Sequence, residues 1–517
     1  MHRTPDNDPG HATEVVDTVG KIESAGVEFI PDDQRKSSLI NVFWLLFGGS
    51  MTFGIIVIGW IPVSLGLGWW EALTAITAGT AVGSFLLGPM SLFGPRTGTN
   101  NPVASGAHFG ARGRLIGSIL GVTACIVFAA LCIWAAGDVL AGSVSRLSGN
   151  SEAELWLQMV SYALVSLIMI VISVLGHANM VAFCKLMVPT SGVLMLVGIY
   201  AYWPQFDASF EPGTYALGSF WPTWLAGAIV CAATTQSYGP YCGDWTRHIS
   251  VKKYSDKQIF AVTWLGGFIG MGGAYVWGAY TASSFADPTM DYALGLVVNA
   301  PTWYLLPLLY IGLVAGTAQA VINIYSMGLD FSAIVPRFSR VQCTIGLGLV
   351  STVLVYIGAF YQQVALLVTS FLGILVILGA PWVVVNIIGF INRKRYYYPE
   401  HLQVFNRGQI GGRYWFTNGL NLQATAAWAL GAFAGAFFLN TGWYVSPGAQ
   451  LFEGADLGLF VSCIVSAASY VIFLYKYPEP RCAFGPEGSL FSDSGDDACE
   501  PIRDKRSGVI EREAEAV

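Results

Sequence analysis

Two carboxamide residues, Gln319 and Asn323, lie four positions apart in the apolar segment GTAQAVINIYS. This spacing places both side chains on one face of an α-helix, one turn apart. A carboxamide donates and accepts hydrogen bonds at once, which matches the amide and ring-nitrogen edges of a nucleobase. A lone carboxamide more often bonds a neighbouring membrane helix, which contributes about 0.6 kcal/mol. The spaced pair favours a binding site for a small planar solute.

A second group of polar side chains surrounds an interruption in the segment AATTQSYGPYCGDWTRH. Pro240 removes one backbone donor, so the helix is expected to break at the step from Gly239 to Pro240. Unwound backbone groups at such a break can face a solute or an ion. Aromatic rings beside the break can stack on a planar heterocycle. The side chains predicted to surround this break are Gln236, Ser237, Tyr238 and Tyr241.

Two acidic residues are candidates for binding a proton or an ion. Asp138 lies well inside an apolar segment, and an acid within the membrane is a functional candidate by default. A simpler interpretation is that it reaches toward the outer interface near its helix end. Asp244 and Arg247 lie three positions apart after the interruption, where they form either an internal ion pair or a solvated loop pair. None of the six histidines falls in the middle of an apolar segment, which argues against a histidine proton relay.

Several classes of function lack their motifs in this chain. There is no Walker lysine motif, and neither GxGxxG nor HExxH occurs in a useful context, so ATP-driven transport and membrane proteolysis are excluded. The nine cysteines form no CxxC pair, so the sequence predicts neither a disulfide framework nor a metal site. No basic patch suggests a nucleic-acid partner. The residues therefore predict a protein that is not an enzyme and needs no cofactor.

The composition indicates which elements must position these side chains. Of the 517 residues, 54% are hydrophobic and only 11% are charged, whereas a soluble protein carries about 25% charged residues. The apolar residues fall into runs of about 20, long enough to cross a bilayer as helices. We predict an all-α polytopic membrane protein with about 12 transmembrane helices. The predicted spans are 40–66, 70–93, 115–144, 158–176, 179–202, 222–243, 260–284, 302–332, 342–363, 366–391, 423–440 and 455–476.

Interruptions occur in corresponding places in the first and sixth spans. The first span contains Gly48, Gly49 and Ser50 in its first half, and the sixth contains Gly239 and Pro240. Either feature alone could equally be a packing notch or a simple kink. Because they lie five spans apart, together they predict two five-span halves related by an inverted repeat. The predicted organisation is a transporter domain at 39–477 (repeat one about 40–202, repeat two about 222–391, extra helices about 423–476) between cytoplasmic disordered tails at 1–38 and 478–517.

Lysine and arginine are unequally distributed between the connections of these spans. With the N-terminus in the cytoplasm, the external connections contain one positive charge, Arg146. Because cytoplasmic connections are enriched in Lys and Arg, we predict a plasma (inner) membrane protein with both termini cytoplasmic. The positive charges of the cytoplasmic connections are Arg96, Arg112, Arg114, Arg247, Lys252, Lys253, Lys257, Arg337, Arg340, Arg393, Lys394, Arg395, Arg407 and Arg413.

Seven segments in order resemble the nucleobase-cation symporter family, on its purine-cytosine permease branch. The resemblance covers roughly 26–478. SYGPYCGDWTRHI is similar to the sixth-span signature of the family, and INIYSMGLDF to its Asn-aromatic-Ser pattern in the eighth span. The other segments that carry the resemblance are GVEFIPDDQR, GLGWWEA, FGPRTGTNNPVASGAHFGARG, APWVVVNIIGFINRKRYY and GGRYWFTNGLNLQATAAWALGAF.

The resemblance implies a LeuT-like fold of two inverted five-helix repeats plus two C-terminal helices. It also implies symport with Na⁺ or H⁺ by alternating access. The substrates of the family are cytosine, purines, uracil, allantoin, hydantoins and some vitamins. The family site lies between the first, third, sixth and eighth spans. Carried onto this chain, it implicates Gly48, Gly49, Ser50, Phe128, Cys132, Thr235, Gln236, Ser237, Tyr238, Gln319 and Asn323.

The chain departs from the family pattern on its third and eighth spans, and in the glycine-rich loop Gly106 replaces a common Arg. Family members often have Trp in the third span and Gln or Asn four residues later, where this chain has Phe128 and Cys132. Sodium-coupled members have adjacent hydroxyls on the eighth span, where Thr317 is followed here by Ala318. Hard cations need several oxygen ligands, so proton coupling is favoured over sodium. Asp138 or Asp244 would then carry the proton, with Thr317 as the remaining hydroxyl of a cation site.

The sequence therefore predicts a secondary active importer of a nucleobase or related planar heterocycle. Its partners would be a small-molecule substrate and the lipid bilayer, with no nucleic acid and no obligate protein partner. A vitamin, an amine or another solute is the alternative substrate, and the missing third-span carboxamide supports it. A non-transporting sensor or membrane enzyme would need an added soluble domain or a catalytic constellation, and the polar tails supply neither.

Overall fold

Helices form almost all of the regular structure in this computed structural model. The residues it describes are 18–23, 26–150, 153–209, 211, 214–287, 289–335, 337–358, 364–441, 444–491 and 499–504. Among these, the strands are a short antiparallel pair that joins Gln409–Ile410 to Arg503–Asp504. The expected all-α architecture is confirmed.

The twelve predicted spans correspond to helices that follow one another along the chain. The third packs along the eighth, and the second packs along the sixth. We keep the predicted numbering of the spans. Their bounds are Leu39–Ser50 with Phe53–Ser64 (span one), Trp69–Met90 (two), Leu115–Leu147 (three), Leu155–Leu175 (four), His177–Tyr202 (five), Phe220–Gln236 with Cys242–Thr246 (six), Asp256–Ala282 (seven), Leu305–Tyr310 with Ile311–Ala315 and Gly316–Ile334 (eight), Arg340–Gly358 (nine), Val364–Asn392 (ten), Leu422–Ala436 (eleven) and Gly458–Lys476 (twelve).

Shorter helices connect the spans. Two of them, Phe93–Thr97 and Asn101–Phe109, lie between spans two and three. The remaining short helices and 3-10 turns are Asp32–Gln34, Trp203–Gln205, Tyr292–Asn299, Thr302–Tyr304, Pro399–Leu402, Pro447–Leu451 and Arg481–Ala483.

Length and apolarity qualify most of these helices to cross a membrane. Over the described residues, nine helices qualify singly, and the two halves of span one make a tenth when joined across their 58° bend. The longer half of span six has 17 residues and span eleven has 15, below the roughly 20 that a hydrocarbon core requires. Twelve crossings therefore remain a prediction at these two spans.

The break in span one differs from its predicted position. Gly48, Gly49 and Ser50 remain helical, and the chain unwinds at Met51 and Thr52. Both glycines serve close packing instead, because a Cβ on Gly48 would lie 2.8 Å from a Val188 methyl carbon and one on Gly49 2.7 Å from a methyl carbon of Ile322. The position of the break was thus wrong by two residues, whereas its presence in this span was correct.

The break in span six is confirmed. The first half ends at Gln236 and the second begins at Cys242, with Gly239 and Pro240 in the turn between them. The side-chain amide of Asn101 donates to the backbone oxygen of Gly239 at 2.7 Å, which satisfies one backbone group that the break exposes.

Both tails were predicted to be disordered; among the described residues of each tail, some side chains are buried against the helical domain. Glu23 is 5% exposed and Glu479 is 3% exposed, so both tails pack against the helical domain. The C-terminal segment returns to the domain at residues 503–504, and this path pairs Cys482 with Cys499, against the prediction that the chain has no disulfide. The parts of the predicted tails at 1–17, 24–25, 492–498 and 505–517 lie outside the described residues. Composition alone missed these contacts because a few buried ionic residues hold the polar segments in place.

Candidate solute-binding site

Gln319 is the point at which spans one, three and eight meet. The hydroxyl of Thr52, at the break of span one, lies 3.3 Å from the Gln319 side-chain oxygen and donates to it. The thiol of Cys132 on span three donates to the same oxygen at 3.2 Å. The side-chain nitrogen of Gln319 has no protein partner, although the residue is fully buried. Half of this carboxamide is therefore held by the protein and half is left for another group.

Two further carboxamides, one on span eight and one at the break of span six, are buried without partners. Neither side-chain polar atom of Asn323, one turn along span eight, has a protein hydrogen bond. The same holds for Gln236, which is 2% exposed and faces span ten. A Cβ on Gly379 of that span would lie 3.6 Å from the Gln236 side-chain nitrogen. Leaving a buried polar group unpaired costs about 1–3 kcal/mol, so these atoms are typical of a ligand site.

Aromatic rings border the carboxamides. The rings of Tyr238 and Tyr241 lie 5.1 Å apart in the span-six break, and Trp245 packs edge-on 5.7 Å from Tyr238. Both tyrosine hydroxyls are buried without a hydrogen-bond partner. On span three, Phe128 lies one turn from Cys132 and packs edge-on against Phe371 at 6.2 Å. The neighbourhood thus combines flat apolar faces with unpaired polar atoms.

Several predicted site residues use their polar groups within their own helices. Ser50 donates to the backbone oxygen of Leu46 at 2.6 Å, and Ser237 to that of Thr234 at 2.6 Å. Thr235 donates to the backbone oxygen of Cys231 at 2.9 Å, and its hydroxyl lies 3.4 Å from that of Tyr275. Their positions stay near the breaks, but their hydroxyls are occupied.

The predicted cation-coupling residues are not brought together. Thr317 follows the π-helical turn Ile311–Ala315 and donates to the backbone oxygen of Val314 at 2.7 Å. Asp138 accepts a hydrogen bond from the Tyr162 hydroxyl of span four, away from Gln319. Asp244 lies in the second half of span six with neither carboxylate oxygen hydrogen-bonded.

The structure adds residues that the sequence analysis missed. Thr52 was overlooked because the break was placed at the two glycines before it. Asp330 was overlooked because it was assigned to the end of span eight, although it lies eleven residues after Gln319 and therefore on the same helix face. Glu23 was overlooked because it belongs to a polar segment, yet it binds Arg247 at 3.4 Å.

Comparison with known proteins finds a family and a relative that match most of this chain. A family described as permease for cytosine/purines, uracil, thiamine, allantoin matches residues 29–462. A protein of Bacillus subtilis (strain 168), YxlA, named for the purine-cytosine permeases, is 25% identical over 483 residues, which cover 90% of this chain and 98% of that protein.

Solved structures share the fold. Mhp1, a nucleobase-cation-symport-1 family transporter in a closed conformation with bromovinylhydantoin bound, matches with a TM-score of 0.68 and 17% identity, covering 90% of this chain and 97% of that chain. MhsT in complex with L-phenylalanine matches at 0.54 and 14% identity, covering 84% and 99%. These matches confirm the predicted LeuT-like fold of an all-helical membrane protein.

The family match spans most of the chain, and the fold of a membrane transporter agrees with it. The protein is therefore a transporter and not an enzyme, as the sequence predicted. The chain belongs to the family of permeases for cytosine/purines, uracil, thiamine and allantoin.

Proposed function

We propose that this protein imports a nucleobase or a related planar heterocycle, of the cytosine, purine, allantoin or hydantoin class, by cation symport with alternating access. The observation that carries the proposal is that three carboxamides on spans six and eight, Gln236, Gln319 and Asn323, are buried with unpaired polar atoms. A flat solute with a donor and acceptor edge would pair those atoms. Its face would stack on Phe128 or on a span-six tyrosine.

The relatives support the same substrate class. The B. subtilis relative is named for purine and cytosine, and the Mhp1 structure holds bromovinylhydantoin, a planar ring with amide groups. The family description includes cytosine, purines, uracil and allantoin. All of these solutes offer adjacent donors and acceptors in one plane.

Uptake of radiolabelled cytosine, adenine, uracil, allantoin and hydantoin by whole cells tests the substrate class directly. We expect at least one to accumulate and to be competed by its unlabelled form. If none accumulates, the class is wrong. Asn323→Ala should lower uptake by at least about tenfold, the effect of losing roughly 1.4 kcal/mol of solute hydrogen bonding. Normal uptake by this variant would remove span eight from the site.

Proton coupling is proposed over sodium coupling. Thr317 is followed by Ala318 and already donates to Val314, so span eight offers few oxygens for a hard cation. Asp138 and Asp244 are the proposed proton carriers. In membrane vesicles, an imposed pH gradient should drive accumulation at constant sodium. Accumulation driven by a sodium gradient alone, at equal pH on both sides, would contradict the proposal.

A second substrate class has one specific observation in its favour. Cys132 occupies the third-span position where family members often have a carboxamide, so the site here has one carboxamide fewer and a thiol in its place. A vitamin or amine would tolerate this better than a nucleobase, and the family description includes thiamine. Competition of uptake by excess unlabelled thiamine, without competition by cytosine, would favour this class.

The plasma (inner) membrane location and the cytoplasmic placement of both termini are part of the proposal, and the Lys and Arg asymmetry supports them. Reporter fusions after spans three and four would test the orientation. We expect the reporter after span three to be external and the reporter after span four to be cytoplasmic.

A further inference from the structure

A continuous line of polar side chains runs along span eight from the carboxamides to a buried acid. Gln319, Asn323, Ser326 and Asp330 follow one another at intervals of four, three and four residues, which places all of them on one helix face. All four are fully buried. Each has at least one side-chain polar atom without a protein hydrogen bond. We call this set the polar line.

Span three forms the opposite wall of the polar line. Ser118, Gly121, Cys125, Phe128 and Cys132 repeat at intervals of three and four, and span three packs along span eight. A Cβ on Gly121 would lie 2.2 Å from Oδ2 of Asp330 and 3.5 Å from the Cβ of Pro240. The glycine therefore lets the Asp330 carboxylate lie between span three and the break of span six.

The Asp244 carboxylate belongs to the second half of span six, directly after the break that Asp330 faces. It is fully buried, and neither of its oxygens has a hydrogen-bond partner. The Ser326 hydroxyl of the polar line lies beside it without hydrogen-bond geometry, and Asp330 is near enough for the two charges to interact. Asp330 itself accepts one hydrogen bond, from the Asn100 side chain at 2.9 Å, and its Oδ2 is unpaired.

Nearby cations do not form ion pairs with either carboxylate. Arg247 binds Glu23 and the Tyr325 hydroxyl. Arg114 donates to the backbone oxygen of Ala333 and to Asn406. Among the described residues, no Lys or Arg nitrogen pairs with Asp244 or Asp330 within 4 Å. The titratable and charged groups that face the two acids are Arg114, Cys125, Glu23, Arg247, Cys242 and Tyr325.

We propose that Asp244 and Asp330 together hold the transported proton, at the end of a polar line that leads from the solute site. Two buried carboxylates whose charges interact, with no ion pair to either of them among the described residues, cannot both be ionised at low cost, so one proton is shared between them. Binding the proton converts one carboxylate to a carboxylic acid, and its release restores the carboxylate. The proposal rests on proton symport as the function, and it assigns the carrier.

Asp138, the other proposed carrier, lies away from the polar line. It is six residues beyond Cys132 and so falls off the helix face that lines the polar line. Its carboxylate is already held by the Tyr162 hydroxyl of span four. The geometry therefore favours the pair of acids over Asp138.

Reconstituted vesicles separate coupling from solute binding. With radiolabelled cytosine, Asp244→Asn and Asp330→Asn should each reduce accumulation driven by a pH gradient by at least tenfold, while exchange of labelled for unlabelled solute persists. The matched control, Asp456→Asn, removes a buried carboxylate in the connection before span twelve and should leave accumulation unchanged. Accumulation at the wild-type level in both acid variants would overturn the proposal, and so would its loss in Asp138→Asn alone.

A solute-independent measurement keeps the two proposals distinguishable. Infrared difference spectroscopy of the purified protein at neutral and alkaline pH should show a protonated carboxyl band in the wild type. The band should be absent in the Asp244→Asn/Asp330→Asn double variant and present in Asp138→Asn. A band unchanged in the double variant overturns the proton site. A lost band, in a protein that transports none of the five solutes, retains the proton site and overturns only the substrate class.

A second route avoids dependence on folding of the acid variants. Gly121→Ala keeps both acids but places a methyl group against Oδ2 of Asp330. Gly121→Ala should shift the pH dependence of the carboxyl band. The matched control is Gly273→Ala, where a Cβ meets nothing within 4 Å, and it should leave the pH dependence unchanged. Identical pH dependence in Gly121→Ala and the wild type would contradict the placement of the proton beside span three.

Discussion

Buried polar groups are arranged in opposite ways in two regions of this molecule. At the solute site, the carboxamides of Gln236 and Asn323 have no protein partner. In the N-terminal segment, the Glu23 carboxylate accepts from Arg247 at 3.4 Å, from Tyr325 at 3.1 Å and from the His177 backbone at 3.0 Å. Both regions are equally excluded from solvent. The difference is that the Glu23 carboxylate has protein partners and the two carboxamides do not.

A second buried network, centred on Arg393, resembles that of Glu23 in pairing an acid with an arginine. Arg393 pairs with Glu479 at 2.6 Å and donates to the ring of His108 at 3.0 Å. The other ring nitrogen of His108 lies 3.1 Å from the Tyr397 hydroxyl. Both networks fasten a terminal segment to the helical domain. These two sets of paired groups therefore support stability, whereas the unpaired carboxamides leave polar atoms that a transported solute could bind.

The largest effect is expected in the Glu23 network. Glu23→Ala should lower the free energy of unfolding by about 3–5 kcal/mol, because it leaves the buried Arg247 guanidinium without its counter-charge. Thermal unfolding of the purified protein in detergent measures this. The matched control is Glu400→Ala, which breaks an exposed pair with Arg407 and should cost about 0–1 kcal/mol. Equal losses of unfolding free energy in the two variants would show that the buried ion pair stabilises the protein no more than the exposed one.

The opposite sign of stability change is expected at the solute site. Gln236→Leu replaces an unpaired amide by an apolar group of similar size and should raise the free energy of unfolding by about 1 kcal/mol. The same change should reduce uptake roughly 10–100-fold. The bound solute would then keep a buried polar group without a hydrogen-bond partner, which costs about 1–3 kcal/mol. Unfolding and uptake are measured on the same preparation. A destabilised variant with normal uptake would mean that Gln236 is structural.

The pH dependence of stability sharpens the description of the paired networks. Burial and then the Arg393 charge lower the pKa of His108, outside the spans, well below its ordinary 6.5. Because Arg393 must donate to one ring nitrogen, the other carries the proton and donates to Tyr397. As the pH falls below about 6.5, the unfolded chain binds a proton that the folded protein excludes, so stability decreases by up to about 1.4 kcal/mol per pH unit.

The His108→Gln variant isolates this effect. Between pH 6.5 and pH 5, the unfolding free energy of the variant should decrease less steeply than that of the wild type. The difference in slope corresponds to at most one bound proton, which is about 1.4 kcal/mol per pH unit. Near pH 8, the difference in unfolding free energy between the two proteins should not change with pH. Parallel curves from pH 8 to pH 5 would contradict a neutral, buried His108.

The sequence allowed prediction of those features that have a local cause. The length of the apolar runs predicted the helices. Pro240 predicted the break in span six, because a proline removes a backbone donor and so interrupts the helix where it stands. The break of span one at Met51 and Thr52 has no such residue and depends on packing against spans five and eight. The Glu23 pair and the acid pair join residues more than 80 positions apart, and no pattern in a single sequence specifies such contacts. Asp330 is the exception, since its spacing from Gln319 was visible in the sequence.

The smallest predicted effect concerns the half of the Gln319 carboxamide that the protein does hold. Thr52→Val removes the hydroxyl that donates to its oxygen at 3.3 Å, while Cys132 still donates to it. One hydrogen bond contributes about 0.5–1.5 kcal/mol, so uptake should fall roughly 2–10-fold through looser positioning of Gln319. Thr80→Val, which removes a buried hydroxyl bonded within span two, is the matched control and should not change uptake. Equal uptake by both variants would show that the solute orients Gln319 without help from the break of span one.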